Sequence, residues 1–266
     1  MNRLLAYSPN LKQSWMLTFI IIASSFVEVL ASRIIQYTGA ATPEWAELSG
    51  MVLSYAVLAP IVVRLGKGDS YAPAAGPGLP PLLWFLLVPF ALSIGLLTKP
   101  LTAWIPMPDI LIQMMAEVFQ SNLSTFLKLV VIAPLCEEWL FRGIILKGLL
   151  ARYSPLKGII WSAVIFGAMH INPWQFVPAF FLALAAGWIY WRTRSLWICI
   201  FMHAVINAFA FLFMFLFPDA PDNTTIADII NIHYVYVYLA VLAVGALSWA
   251  GIKHIISSKI NTDMRR

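Results

Sequence analysis

Long runs of apolar residues dominate this sequence and limit what it can fold into. A membrane-crossing helix needs about 20 such residues, and eight stretches reach or approach that length. They are 14–37, 46–65, 80–98, 123–151, 156–171, 173–191, 195–217 and 233–257. Only 11% of the residues are charged, whereas soluble domains have about 25%. The sequence therefore predicts an all-α, polytopic membrane protein that forms one domain over residues 1–266.

The placement of basic residues predicts the orientation of these spans. Most of the 17 lysines and arginines fall in the terminal segments and in the connections on the same side as the N-terminus, whereas the connection 218–232 has aspartates but no lysine or arginine. Because cytoplasmic loops are enriched in basic residues, we expect about eight spans with both termini in the cytoplasm. The net charge of +5 is then an orientation signal, and we predict no nucleic-acid partner.

Within the predicted spans we single out seven ionisable residues, because a charged group inside a membrane is costly and is by default a candidate for function. They are Glu28, Lys128, Glu137, Glu138, Arg142, His170 and His203. Nothing around Glu28 resembles a motif, so we favour a hydrogen-bonded or water-facing role for it. Lys128 lies near a span end, where we expect its ammonium group to reach the outer interface.

The two adjacent glutamates of the fourth span cannot share one role, because neighbours on a helix point about 100° apart. Glu138 and Arg142 are four residues apart and lie on one helix face. An ion pair between them would lower the cost of burying both, so we favour a structural role for Arg142. Glu137 is left without a local cation, which suits a general base that acts on water.

Two further spans carry polar groups at a similar predicted depth. His170 lies in the fifth span, and His203 and Asn207 share one face of the seventh. Glu137 could take a proton from water that His170 orients, while His203 and Asn207 donate hydrogen bonds to the oxyanion of a tetrahedral intermediate. The same atoms could instead form a zinc site of Glu137, His170 and His203 with one open position. A third interpretation is a buried polar network that only joins helices.

At these residues the sequence resembles the CPBP family of intramembrane proteases, which includes the type II CAAX prenyl endoproteases and the bacterial Abi proteins. The family pattern is Glu-Glu-x-x-x-Arg, Phe-x-x-x-His and His-x-x-x-Asn on three separate spans. Here the motifs occupy residues 137–142, 166–170 and 203–207, in the same order. The resemblance covers about 123–210, and any one of the three motifs alone would be weak.

The resemblance implies an eight-helix membrane endopeptidase. Glu137 matches the base that activates water, and His170 lies beside it. His203 and Asn207 match the residues near the oxyanion, while Glu138 and Arg142 match the supporting pair. Phe166 is expected to pack as the wall behind His170. The resemblance leaves the metal open, because the same residues serve a zinc mechanism and a metal-free glutamate mechanism.

The implied substrate is a membrane-associated protein or peptide, lipidated or prenylated near its C-terminus, and the implied location is the bacterial cytoplasmic membrane, with lipids as partners. An alternative is a non-catalytic membrane scaffold or bacteriocin-immunity protein with the same fold. A proton-coupled transporter ranks third. Transporters often contain internal repeats, and we find none in this sequence.

Overall fold

A computed structural model of the chain describes residues 9–65, 79–118, 122–217 and 232–263. These residues form helices and short connections with no strand among them, so the predicted all-α class is confirmed. The predicted outer connection, 218–232, lies outside the described residues except for its last position.

The helices follow one another through short connections. They are α1 (Leu11–Tyr37), α2 (Pro43–Leu65), α3 (Pro81–Thr98), α4 (Asp109–Val118), α5 (123–152), α6 (Pro155–Ala168), α7 (Pro173–Thr193), α8 (Leu196–Leu216) and α9 (Tyr234–Asp263). Among the described residues, six helices are long and apolar enough to cross a membrane: α1, α2, α3, α7, α8 and α9. The chain is thus an integral, multi-pass membrane protein.

The other two predicted spans correspond to α5 and α6, and neither has the features of a simple spanning helix. The α6 helix has 14 residues and would be about 21 Å long, shorter than a hydrocarbon core of about 30 Å. The α5 helix carries the charged motif. The count of eight spans and the orientation with both termini inside therefore stay predictions.

The α5 helix alternates between two kinds of turn. Regular α-helix at Ala133–Leu140 lies between two π-helical segments, Leu127–Ile132 and Phe141–Leu146. A π turn shifts the hydrogen bonds by one residue, and such turns are frequent at functional sites. Both glutamates of the first motif lie on the regular segment between them.

Asparagine and proline mark the starts of several helices. Oδ1 of Asn10, Asn122 and Asn172 accepts a hydrogen bond from the backbone three residues later, at the starts of α1, α5 and α7. Such caps satisfy a backbone N–H that has no partner within the helix. Proline occupies the first turn of α3, α6 and α7, where its missing N–H costs nothing.

Helices α5, α6 and α8 carry the three motifs, and they pack together. The α8 helix runs against α5, while α6 and α7 form an antiparallel pair whose α6 arm also contacts α5. A buried cluster that includes Leu140, Phe141 and Phe166 fills the space between α5 and α6, with Leu17 and Ile21 of α1 on its far side. This core sets the positions of the motif residues.

The fifth span ends earlier than predicted. We expected helix over 156–171, but α6 ends at Ala168 and His170 lies in the turn that follows. The backbone of Ile171 has φ of 60°, which a helix cannot continue. Pro173 also disfavours a helical conformation at the residue before it. His170 is therefore held by a turn and not by a continuous helix.

The close approach of α1 and α2 generates a stability prediction. A Cβ added at Gly50 would lie 2.5 Å from the backbone oxygen of Glu28, whereas one at Gly95 would have its nearest neighbour, in Ile206, at 4.0 Å. We expect Gly50→Ala to lower the thermal unfolding midpoint in detergent because the two helices must move apart. Gly95→Ala is the matched control. It should leave the midpoint unchanged or raise it, since alanine favours helix by about 1 kcal/mol over glycine. Equal midpoints for the two variants would contradict this packing.

Candidate active site

The centre of the site is the carboxylate of Glu138, which joins two motifs. Its Oε1 accepts hydrogen bonds from Nη1 of Arg142 at 2.8 Å and from Nδ1 of His203 at 3.0 Å. The Glu138 and Arg142 side chains are 0% and 1% exposed. The ion pair predicted from the four-residue spacing is present, and the third motif is attached to the same oxygen. The arrangement neutralises a buried cation and fixes the imidazole of His203.

The ring of Phe166 brings the second motif to the same place. The guanidinium carbon of Arg142 lies 4.6 Å from its centroid, and the rings of His170 and His203 meet it edge to face at 5.5 and 5.8 Å. Phe141 contacts it at 4.8 Å. Phe166 is fully buried, so the packing role predicted for it is confirmed. A cation over an aromatic face is itself stabilising.

The imidazole of His170 has a defined tautomer. Its Nδ1 lies 3.1 Å from the backbone oxygen of Phe166. A carbonyl oxygen can only accept, so Nδ1 carries the hydrogen and donates it. In the neutral ring, Nε2 then carries a lone pair, which can accept a hydrogen bond from water.

Asn207 satisfies a carbonyl that the α5 backbone leaves open. Its Nδ2 donates to the backbone oxygen of Leu129 at 2.8 Å. In a regular helix that oxygen would accept from Ala133, but Ala133 donates instead to Lys128 across the π segment. The π-type donor would be Pro134, which has no N–H. Asn207 thus fastens α8 to α5, and its amide keeps a second hydrogen for another acceptor.

Glu137 stands apart from this network. Its Oε2 is buried, and the described part of the chain offers it no hydrogen-bond donor. Tyr55 of α2 lies within electrostatic range of Glu137 and of its neighbour Cys136. No hydrogen bond between described residues ties Glu137 to His170 or His203. The structure therefore places His203 against Glu138 and both imidazoles against Phe166, and leaves Oε2 of Glu137 without a partner among the described residues.

More unpartnered polar atoms lie beside the same cluster. Oε2 of Glu138 and both Nε and Nη2 of Arg142 are buried and have no partner among the described residues. Buried polar atoms are normally hydrogen-bonded, to internal water where protein groups do not reach them. The cluster thus has unpartnered donors on Arg142 and an unpartnered acceptor on Glu138, an arrangement that suits a site for bound water.

The two ionisable residues outside the motifs have partners of their own. Nζ of Lys128 pairs with Oε2 of Glu47 at 3.1 Å, and only 13% of the Lys128 side chain is exposed. Lys128 thus joins α5 to α2. We expected its ammonium group at the outer interface and did not predict this ion pair. Glu28 lies within electrostatic range of Lys128 and Glu47.

Sequence reasoning missed Tyr55 and Asn172. Tyr55 packs against the buried cluster between α1, α5 and α6, and nothing around it in the sequence distinguishes it from other aromatic residues of the spans. Asn172 is hydrogen-bonded to the backbone of His170. Asn172 falls between the predicted spans 156–171 and 173–191, so a helix cap next to a candidate histidine was the available signal.

The predicted zinc ligands do not form a ready three-ligand site. Within the described ranges, no three histidine, cysteine, aspartate or glutamate side chains are grouped closely enough to hold a metal ion. Nδ1 of His203 faces Glu138 and Nδ1 of His170 faces a carbonyl, so each ring has only Nε2 left for another partner. The zinc hypothesis stays a prediction.

Comparison with known proteins agrees with the motifs. Residues 119–209 match the family model of the Rce1-like type II CAAX prenyl endopeptidases. This range contains all three motifs, and the family resemblance predicted from them is confirmed over it.

A curated relative matches over a similar length. The chain is 29% identical over 79 residues to a putative membrane peptidase of Bacillus subtilis, YdiL. The match covers 30% of this chain and 32% of the relative, so about a third of either protein is compared. No solved structure gives a significant match to the chain.

The different surroundings of the two glutamates predict different effects on stability. We expect Glu138→Gln to destabilise the protein by about 3–5 kcal/mol, because it leaves Arg142 buried without a counter-charge. Glu137→Gln should leave the unfolding midpoint unchanged or raise it, since it replaces an unpartnered carboxylate with a neutral amide. Thermal unfolding in one detergent compares the two. A larger loss for Glu137→Gln would contradict the assignment.

Proposed function

We propose that the protein is an intramembrane endopeptidase, one that hydrolyses a peptide bond in a membrane-associated protein or peptide. The observation that carries this proposal is the division between adjacent glutamates. Glu138 accepts from Arg142 and His203 through Oε1 and keeps only Oε2 open, whereas the described residues make no hydrogen bond to the buried Oε2 of Glu137 and none that joins Glu137 to the other motifs. One carboxylate holds the site together, and the other is available to react.

Glu137 is proposed as the general base. An unpaired carboxylate oxygen can accept a proton from water as the water oxygen attacks the scissile carbonyl carbon. The carbon–oxygen bond forms, and the carbonyl electrons move onto its oxygen to give a tetrahedral oxyanion. When the oxyanion collapses, the carbon–nitrogen bond breaks and the proton held by Glu137 passes to the leaving nitrogen. Atoms and protons balance with one water consumed for each bond broken.

His170 is proposed to orient the attacking water. Its Nδ1 hydrogen is committed to the carbonyl of Phe166, so Nε2 is an acceptor. That lone pair can take one water hydrogen while Glu137 takes the other, which directs the oxygen lone pair at the substrate. This role requires the neutral ring.

Two side chains are proposed to donate hydrogen bonds to the oxyanion, and they differ in whether the neutral side chain has a hydrogen left to donate. Asn207 has one N–H on the carbonyl of Leu129 and a second that can reach a substrate oxygen. His203 donates Nδ1–H to Glu138, so its neutral ring has only a lone pair at Nε2. It can donate there only as imidazolium. Asn207 is therefore the donor available in both protonation states of His203.

The substrate class is proposed from the matched family. Its description is type II CAAX prenyl endopeptidase, and from it we propose a lipid-anchored substrate cut near its C-terminus, in the bacterial cytoplasmic membrane. A lipid anchor would deliver the peptide to a site that lies on helices of a membrane protein. The non-catalytic scaffold or immunity protein remains the second hypothesis. The buried Oε2 of Glu137, which has no donor among the described residues, favours the enzyme, because a scaffold needs its buried polar atoms paired.

Catalytic variants in lipid vesicles test this function. The reconstituted protein is given a vesicle-anchored peptide with a C-terminal prenylcysteine motif, and the same peptide without the lipid, and mass spectrometry follows the released residues. We expect Glu137→Gln to lower kcat by about 10²-fold or more, as loss of a general base does, and His170→Ala to do likewise. Asp109→Asn, at the exposed start of α4, is the control and should cleave normally. Equal cleavage by all the variants would refute the proposal.

Metal content is a separate test. Since no three candidate ligands are grouped among the described residues, we expect protein purified without chelator to hold much less than one zinc per chain. Cleavage should survive treatment with 1,10-phenanthroline. One tightly bound zinc per chain, together with loss of cleavage on chelation and recovery with added zinc, would support the three-ligand alternative instead.

A further inference from the structure

The turn that carries His170 is unusually constrained. After α6 ends, the N–H of His170 bonds to the oxygen of Gly167 and that of Ile171 to the oxygen of Ala168. Ile171 then has φ of 60°, a left-handed conformation that is unfavourable for a β-branched residue. Such a conformation persists only where the surroundings hold it.

Asn172 supplies much of that hold. Its Nδ2 donates to the backbone oxygen of His170 at 2.9 Å and to Oε1 of Gln175 at 2.8 Å, while its Oδ1 accepts from the backbone N–H of Gln175 at 2.8 Å. One side chain therefore caps α7 and pins the residue two positions before it. Close packing supports the same turn, because a Cβ on Gly167 would lie 2.9 Å from the ring of Phe176.

A second cap in the chain shows that pinning is not part of capping itself. Asn10 caps α1 through the same Asn-x-x-Gln pattern, with Oδ1 accepting from Gln13 at 2.9 Å. There the glutamine Oε1 accepts from the backbone N–H of Asn10, not from its side-chain amide. At Asn172 the side-chain amide instead donates to the backbone oxygen of His170 and to Oε1 of Gln175.

We propose that Asn172 is a positioning residue for His170, acting through the backbone carbonyl that its amide holds. This inference rests on the proposed function, in which His170 orients the attacking water. With the carbonyl pinned, the ring stays against the oxygen of Phe166, and Nε2 keeps its lone pair directed away from that contact. If the pin is lost, the turn relaxes from the strained conformation at Ile171, and the ring loses its fixed tautomer.

Chemistry separates the pinning role from the capping role. Aspartate and serine both cap helices about as well as asparagine. Aspartate keeps the acceptor for Gln175 but has no hydrogen to donate to the carbonyl of His170 when ionised. Serine adds no negative charge, and its one short hydroxyl can cap the helix but does not replace the amide group of asparagine. Asn172→Asp and Asn172→Ser therefore retain the cap and remove the pin by different means, and Asn10→Asp is the matched control.

The experiment has two independent arms on the full-length protein. The first measures kcat and KM with the anchored peptide. We expect both Asn172 variants to lower kcat by roughly 10- to 100-fold, the scale of misplacing a reacting group by about 1 Å, with KM within about twofold and an unfolding midpoint close to that of Asn10→Asp. The second arm records ¹⁵N signals of the histidine rings in micelles and assigns His170 by its loss in His170→Ala.

The ring signal decides the proposal whether or not cleavage is observed. In the wild type we expect His170 to show a protonated Nδ1 and an unprotonated Nε2, and in both Asn172 variants to show an exchanging mixture. An unchanged His170 signal, together with a kcat equal to that of Asn10→Asp, would overturn the proposal. If the wild type cleaves no peptide, the proposed function fails, and the ring signal alone then supports or overturns the positioning role.

Discussion

The site depends on one carboxylate oxygen. Oε1 of Glu138 accepts from Arg142 and from His203 within a fully buried environment. An isolated buried charge is very costly, so the cation of Arg142 makes the Glu138 carboxylate tolerable there, and that carboxylate in turn fixes the position of His203. Phe166 completes the arrangement by packing its ring against the guanidinium and both imidazoles. The three motifs therefore form one packed unit, held by interactions that each motif alone lacks.

This unit separates support from chemistry. The supporting groups bind one another: Oε1 of Glu138 with Arg142 and His203, and Asn207 with the open carbonyl of Leu129. Oε2 of Glu138 and two nitrogens of Arg142 are left without a partner among the described residues. The groups proposed to act on water keep hydrogen-bond acceptors without a partner. Glu137 has a buried oxygen without a donor among the described residues, and His170 keeps the lone pair of Nε2. Buried polar atoms are normally hydrogen-bonded, so the open atoms of this unit are the basis for the proposal that water and substrate bind there.

The sequence predicted the parts of this site that depend on local spacing. The Glu138–Arg142 pair and the packing of Phe166 follow from positions four residues apart on a helix or on facing helices. The sequence could not show the π segments of α5, because they are shifts in backbone hydrogen bonding and have no residue pattern of their own. For the same reason it could not show why Asn207 meets Leu129. That α6 ends before His170 was signalled only by Asn172 and by Pro173, which disfavours helix at the residue before it.

A double-mutant cycle between Glu138 and His203 tests the central claim most directly. The free energy of unfolding is measured for the wild type, Glu138→Gln, His203→Ala and the double variant under one set of detergent conditions. Because the two side chains share a buried hydrogen bond, the double variant is predicted to lose less stability than the sum of the two single losses. The expected coupling energy is about 0.5–3 kcal/mol, the range found for residues in contact. Additive losses would show that the shared oxygen does not join the first and third motifs.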